Sequence, residues 1–147
     1  MRLKREISDL NDQSDIERIC RELAQAFQGI LSWKWDRRFE TILSEFGVDR
    51  QHIVRSILER HLNFIWDGSN VANAPQMIRT IDDSFGGLRP GQFLFTSGLE
   101  RDALIFGAWW PWGDGKEISI RIGLAFKDIE DFERVEKIQW VKGWFGL

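Results

Sequence analysis

The sequence contains no tyrosine, one cysteine, three prolines and two histidines among its 147 residues. The one cysteine, Cys20, cannot form a disulfide within the chain, whereas small secreted folds usually depend on several such bridges. The two histidines, His52 and His61, lie nine residues apart on one predicted helix and would be rotated by about 180°, so they could not bind one metal ion together, and no zinc site is expected. These scarcities predict a reducing, cytoplasmic setting and neither a metal centre nor a cofactor.

Long apolar runs are missing as well. No stretch of the sequence approaches the roughly 20 apolar residues that are needed to cross a bilayer. The N-terminus is polar and charged and lacks the apolar centre of a signal peptide. The formal net charge is −3, which argues against a generally nucleic-acid-binding surface. We therefore expect a cytoplasmic protein that binds neither membranes nor nucleic acids.

The first half of the sequence shows helical periodicity. Apolar residues recur at spacings of three and four over residues 16–30, which predicts a helix that Asp12 or Ser14 would cap. The same spacing predicts a shorter helix over residues 36–47 and a third from Asp49 to about Trp66. A short helix is predicted after Pro75, which suits a first helical position.

From residue 92 the apolar period changes to two. Strands are predicted over residues 92–96, 103–112 and 117–126, and a last helix follows from about residue 128. Helices followed by antiparallel strands indicate the α+β class. We predict a single domain, residues 1–147, in which about three helices and one short helix pack on an antiparallel meander of about three strands, with a C-terminal helix.

Three tryptophans crowd the turn between the last two predicted strands: Trp109, Trp110 and Trp112. A two-residue turn at Asp114-Gly115 would place Trp109 opposite Ile120 on the apolar face of the sheet. A three-residue loop would reverse the pattern, with Trp110 and Trp112 facing the isoleucines and Trp109 pointing away. The three-residue loop buries more apolar area, so it is the register that we predict.

No catalytic motif stands out. Cys20 shares a helix face with apolar residues, which is typical of a small buried core residue and not of a nucleophile. His61 lies between two isoleucines of its predicted helix, at the edge of the core. The acidic residues at Asp82-Asp83 and over residues 128–136 match no calcium-binding loop, and they suit solvated helix starts. This pattern favours a binding protein over an enzyme.

The C-terminal half combines acidic charge with the tryptophan-rich hairpin. Residues 67–147 carry nine basic and twelve acidic side chains. Tryptophan is enriched at interface hot spots, and an acidic rim attracts basic partners. We therefore expect a small protein-binding module, such as an inhibitor, an immunity protein or a chaperone. The predicted contact residues are Trp109, Trp112, Asp114 and Glu117.

The alternative is a small-ligand-binding protein or an enzyme. Its pocket would lie between the sheet and the helices and would be lined by aromatic side chains with one polar anchor. Binding of single-stranded nucleic acid by stacking on tryptophan is disfavoured by the acidic balance. The predicted lining residues of the pocket are Trp33, Trp35, Trp66 and Trp110, with Arg121 or His61 as the anchor.

Overall fold

The structure is a computed structural model that describes residues 2–98 and 102–147, with the backbone alone for residues 2–14. This part of the chain forms four α-helices and six β-strands, with single 3₁₀ turns at Val48–Arg50 and Val71–Asn73. The elements are α1 Arg2–Phe27, β1 Lys34–Asp36, β2 Thr41–Gly47, α2 Gln51–His61, β3 Phe64–Trp66, α3 Gln76–Ser84, β4 Phe93–Thr96, β5 Ala103–Pro111, β6 Glu117–Phe126 and α4 Asp131–Trp144.

The six strands form one open antiparallel sheet in the order β1-β2-β6-β5-β4-β3. The long central pair, β5 and β6, runs from Ala103 opposite Phe126 to Pro111 opposite Ile118. The α+β class and the C-terminal helix are confirmed. The three-strand meander is wrong, because the first half of the chain contributes β1, β2 and β3 to the same sheet.

The helix predicted over residues 36–47 is wrong, because residues 41–47 form β2. Ile42 and Phe46 are buried on one face of this strand, and Leu43 is buried on the other. A short strand that is covered on both faces loses the alternation of apolar and polar residues, so its spacing resembles that of a helix. The third helix, predicted to continue to about Trp66, ends at His61, because residues 64–66 form the three-residue strand β3.

The first helix is longer than predicted. It begins at Arg2, so neither Asp12 nor Ser14 caps it. The predicted apolar face is nevertheless confirmed, because Cys20, Leu23 and Phe27 are completely buried.

Both faces of the sheet are packed. On the first face, α1, α2 and α4 cover the larger core cluster, which contains Phe27, Leu58 and Ile120. On the second face, α3 covers a smaller cluster that contains Ile78 and Phe106. Burial on both faces explains why the central strands are so rich in apolar residues.

The register of the β5–β6 hairpin differs from the predicted one. Trp109 lies opposite Ile120, and Trp110 lies opposite Ser119. This is the pairing that a two-residue turn would give, so the three-residue loop is wrong. Trp109 consequently points into the first-face core, and Trp110 lies on the second face.

The loop itself is longer than either alternative. The Trp112 N–H donates to the Glu117 carbonyl at 2.9 Å, and the Gly115 N–H donates to the Trp112 carbonyl at 3.1 Å. Gly115 has a φ of +69°, a left-handed conformation that glycine adopts without strain. The Asp114 carboxylate accepts the Lys116 N–H at 2.9 Å. This side-chain hydrogen bond stabilises a four-residue loop with the register of the shorter turn.

Candidate functional site

Trp112 stands at the end of the hairpin with its side chain exposed. It keeps 42% of its accessible surface, and no other tryptophan of the chain is among the exposed large apolar residues. Its indole Nε1 donates to the Ser119 Oγ at 2.6 Å. The ring therefore lies in one fixed orientation, with its only polar atom already hydrogen bonded.

The pairing of β2, β6 and the loop places several carboxylates at the same end of the sheet as this indole. Glu117 belongs to the loop end of β6 and lies opposite Gly47, against which the Asp49 carboxylate packs. Glu45 lies opposite Ser119, the residue that binds the indole. We call the following set the hairpin surface: Trp112, Asp114, Glu117, Glu45 and Asp49.

The structure brings together three of the four predicted contact residues. Trp112, Asp114 and Glu117 are exposed at the hairpin end. Trp109 is not: it is 3% exposed and packs with its ring centroid 5.6 Å from that of Phe46. Sequence reasoning missed Glu45 and Asp49 because it assigned β2 to a helix, and a helix would not have paired with β6.

The tryptophans of the predicted ligand pocket do not meet. Trp33 contacts Phe27 on the first face, at a ring-centroid distance of 5.7 Å. On the second face, Trp66 donates from Nε1 to the Thr96 Oγ1 at 3.0 Å, and Trp110 belongs to the cluster under α3. Because the sheet lies between the two groups, these side chains line no common cavity.

The two predicted polar anchors are engaged elsewhere. The Arg121 Nε donates to the Asp36 Oδ2 at 2.7 Å, and both side chains are largely buried. The His61 Nδ1 lies 2.9 Å from the Ile57 carbonyl oxygen of its own helix. Its Nε2 lies 3.9 Å from a Glu22 carboxylate oxygen of α1. Arg121 therefore ties β6 to β1, and His61 lies at the contact between α2 and α1.

A groove of about 1110 Å³ opens at the far end of β6, where this strand runs past β2. The last residue pair of the two strands is Ile42 with Ile122, while β6 continues to Phe126. The groove is bordered by α3, by α4 and by the β1–β2 turn, residues 37–40. Among the predicted pocket residues, Trp35 lies in its wall.

The wall of the groove has the opposite charge balance from the chain. It holds five basic and two acidic side chains, whereas the whole chain has a net charge of −3. Sequence reasoning missed this site because its basic side chains come from three separate segments. The basic residues are Arg37, Arg38, Lys127, Arg134 and Lys137, and the acidic ones are Glu40 and Asp102.

Cys20 has the environment of a core residue. Burial raises the pKa of its thiol from an ordinary value of 9.0 to about 12. A thiol that stays protonated at neutral pH is a poor nucleophile. Within residues 2–98 and 102–147, no group of three or more His, Cys, Asp or Glu side chains could hold a metal ion. No helix in these ranges is both long and apolar enough to cross a membrane.

The Cys20 pKa predicts how stability depends on pH. The unfolded chain releases the thiol proton near pH 9 and the folded chain near pH 12. The free energy of unfolding is therefore unaffected by this thiol below pH 9 and falls as pH rises from 9 toward 12. Urea unfolding at about pH 8 and about pH 10.5 should show a smaller loss for Cys20→Ala than for the original chain. Equal decreases in the free energy of unfolding for the two proteins would contradict the prediction. Lysines titrate in both proteins, so their contribution cancels in the comparison.

The comparisons with known proteins assign no relative. No protein-family model matches the chain, and searches of curated proteins and of solved structures find no significant match. A function must therefore be argued from the two sites themselves.

Proposed function

We propose that the protein is a non-catalytic binding module of the cytoplasm that engages a basic partner protein through the hairpin surface. The observation that carries the proposal is Trp112, an exposed indole that is hydrogen bonded to Ser119 at an end of the sheet that also carries four exposed carboxylates. The free, buried Cys20 fits a reducing compartment.

The geometry of Trp112 suits a binding hot spot. Tryptophan is enriched at such positions because it buries a large area on contact with a partner. The hydrogen bond to Ser119 already restricts the ring, so association would cost little additional side-chain entropy. A partner would gain apolar contact without leaving the indole N–H unpaired.

The carboxylates at this end of the sheet define the chemistry of the partner. Glu45, Asp49, Asp114 and Glu117 are all exposed and lie around the same hairpin end. Lys34 neutralises one of them through a 3.3 Å ion pair with Glu45. An acidic rim around an aromatic centre favours a basic surface and accelerates its approach more than it strengthens the final complex. An inhibitor, an immunity protein or a chaperone of a basic protein would use such a surface.

Replacing Trp112 by alanine should strongly weaken capture of the partner while leaving the fold intact. Removing a hot-spot tryptophan costs about 2 kcal/mol or more of binding free energy, which is roughly a thirtyfold loss of affinity. The immobilised protein and its variant are incubated with lysate of the source cells, and a basic protein retained by the original is purified and titrated. A carbodiimide cross-link from Glu117 to a partner lysine would locate the contact.

Phe132→Ala is the matched control, because Phe132 is another exposed aromatic residue, 72% accessible, on α4. It should bind the partner as tightly as the original chain. The double variant Glu45→Lys/Glu117→Lys should bind more slowly and lose the salt dependence of association. Equal binding by the Trp112 variant, or equal losses in both aromatic variants, would exclude the hairpin surface as the binding site.

A further inference from the structure

We propose that the groove between α3 and α4 binds a small organic phosphate, in which a multiply charged phosphate group is attached to an apolar or aromatic group. This site is distinct from the hairpin surface. The hairpin lies at the Glu117 end of β6 and the groove at the Phe126 end, roughly 30 Å away for a ten-residue strand.

Two cations of the groove wall are available to a ligand. Arg37 in the β1–β2 turn and Lys127 after β6 are both exposed. Within the part of the chain that the structure describes, neither side chain forms an ion pair or a hydrogen bond. They approach from different walls, so an anion between them could be contacted from two sides. An arginine also presents a planar fork of donors that matches phosphate oxygens.

A third cation could be released on binding. Arg134 of α4 forms an ion pair with Glu40 of the β1–β2 turn, and both residues line the groove. Their side chains remain 53% and 40% exposed, and solvent-exposed pairs of this kind contribute little net stability. A phosphate with two charges could therefore displace Glu40 from Arg134 at small cost.

Apolar side chains complete the wall. Trp35 and Phe39 come from the β1–β2 hairpin, Met77 from α3, and Leu124 and Phe126 from the end of β6. Ligand pockets are mostly apolar, with a few polar groups that orient the ligand. The volume, about 1110 Å³, accommodates a molecule of metabolite size together with water. This lining favours an organic phosphate over free inorganic phosphate.

The surroundings of the groove disfavour a long polyanion. The segment that leads into α4 carries the exposed carboxylates of Asp128, Glu130 and Asp131 close to Lys127 and Ile129 of the groove wall. An RNA or DNA chain that extended from the groove along this segment would meet like charge. A compact anion held inside the groove would not.

Titration with naphthyl phosphate tests the proposal. Isothermal calorimetry on the full chain should show saturable binding of naphthyl phosphate, with naphthol and inorganic phosphate each at least about tenfold weaker. Naphthoate, which carries a single negative charge on the same naphthalene ring system, should also bind more weakly than naphthyl phosphate. Adenosine monophosphate serves as a second phosphate probe with a different aromatic body.

The double variant Arg37→Gln/Lys127→Gln should bind naphthyl phosphate at least about tenfold more weakly than the original chain. Both side chains are exposed, so thermal unfolding of the unliganded variant should be unchanged. Arg60→Gln/Lys116→Gln removes two exposed cations outside the groove wall and should bind as the original does.

Three results would overturn the proposal: no saturable binding of either phosphate probe, equal binding by the two double variants, or naphthoate binding as tightly as naphthyl phosphate. None of them bears on the hairpin surface, which is tested with a protein partner and with Trp112. Each site can therefore fail without the other.

Discussion

Replacing Trp109 by alanine is expected to lower the free energy of unfolding by about 3–5 kcal/mol, the usual cost of removing a large aromatic side chain from a core. Trp109 is 3% exposed, and its ring meets Phe46 at 5.6 Å and Phe95 at 6.3 Å between centroids. The substitution would leave a cavity where β5 faces the helices of the first face. Urea unfolding followed by circular dichroism measures the loss.

Trp112→Ala is the comparison that makes this result informative. Trp109 lies in β5 and Trp112 directly follows this strand. In contrast to Trp109, Trp112 is 42% exposed and has one side-chain hydrogen bond, to Ser119. Its removal should cost less, about 1–2 kcal/mol, because only the half-buried part of the ring and one hydrogen bond to the buried Ser119 are lost. If Trp112→Ala were the more destabilising substitution, the register of the hairpin would be the opposite of the one described.

Replacing Arg121 by leucine is expected to lower the free energy of unfolding by about 2–3 kcal/mol, somewhat less than the loss for a completely buried ion pair. The substitution leaves the Asp36 carboxylate without its cation, while that side chain keeps 13% of its accessible surface. It also removes a guanidinium that lies 5.2 Å from the Phe39 ring centroid. Because the unpaired charge is mostly shielded from water, the cost exceeds that of breaking a surface ion pair.

The double variant Asp36→Leu/Arg121→Leu should recover much of that loss. It removes the carboxylate together with its partner, and apolar replacements of buried pairs are often close to neutral. A double-mutant cycle measured by urea unfolding gives the coupling between the two residues. A coupling below about 0.5 kcal/mol would show that the pair is not energetically linked.

The second half of the fold could be predicted from its periodicity. Ile118, Ile120 and Ile122 alternate with smaller or polar residues, and the structure places β6 over the predicted range. The loop of the hairpin could not be predicted in the same way. It depends on Asp114, whose carboxylate accepts two backbone N–H groups, and this interaction stabilises a four-residue loop in place of a two- or three-residue turn.

The first half could not be divided into elements from spacing alone. Ile42, Leu43 and Phe46 fit a helical face, but they belong to a strand that is buried from both sides. At three residues each, β1 and β3 are too short to show any period. β1 takes its place by pairing with β2, which spacing had assigned to a helix, and β3 by pairing with the distant strand β4.

The hairpin surface and the groove also differ in how far the sequence predicts them. The centre of the hairpin surface was predictable because Trp112, Asp114 and Glu117 are close together in sequence. The groove was not, since Arg37, Lys127 and Arg134 come from separate elements that only the fold assembles. Local patterns thus indicated a candidate surface within one hairpin and missed a candidate groove between elements.

The sheet order has a consequence for behaviour at high concentration. An edge strand exposes unpaired backbone groups that can recruit another chain and start aggregation. Here the two edges are β1 and β3, the shortest strands of the sheet, while the long apolar β5 and β6 lie at its centre. Lys34 and Asp36 add charge along one of these edges. The chain therefore keeps its longest apolar strands in the interior of the sheet, with a neighbour on each side over much of their length, and its two edges are formed by short strands.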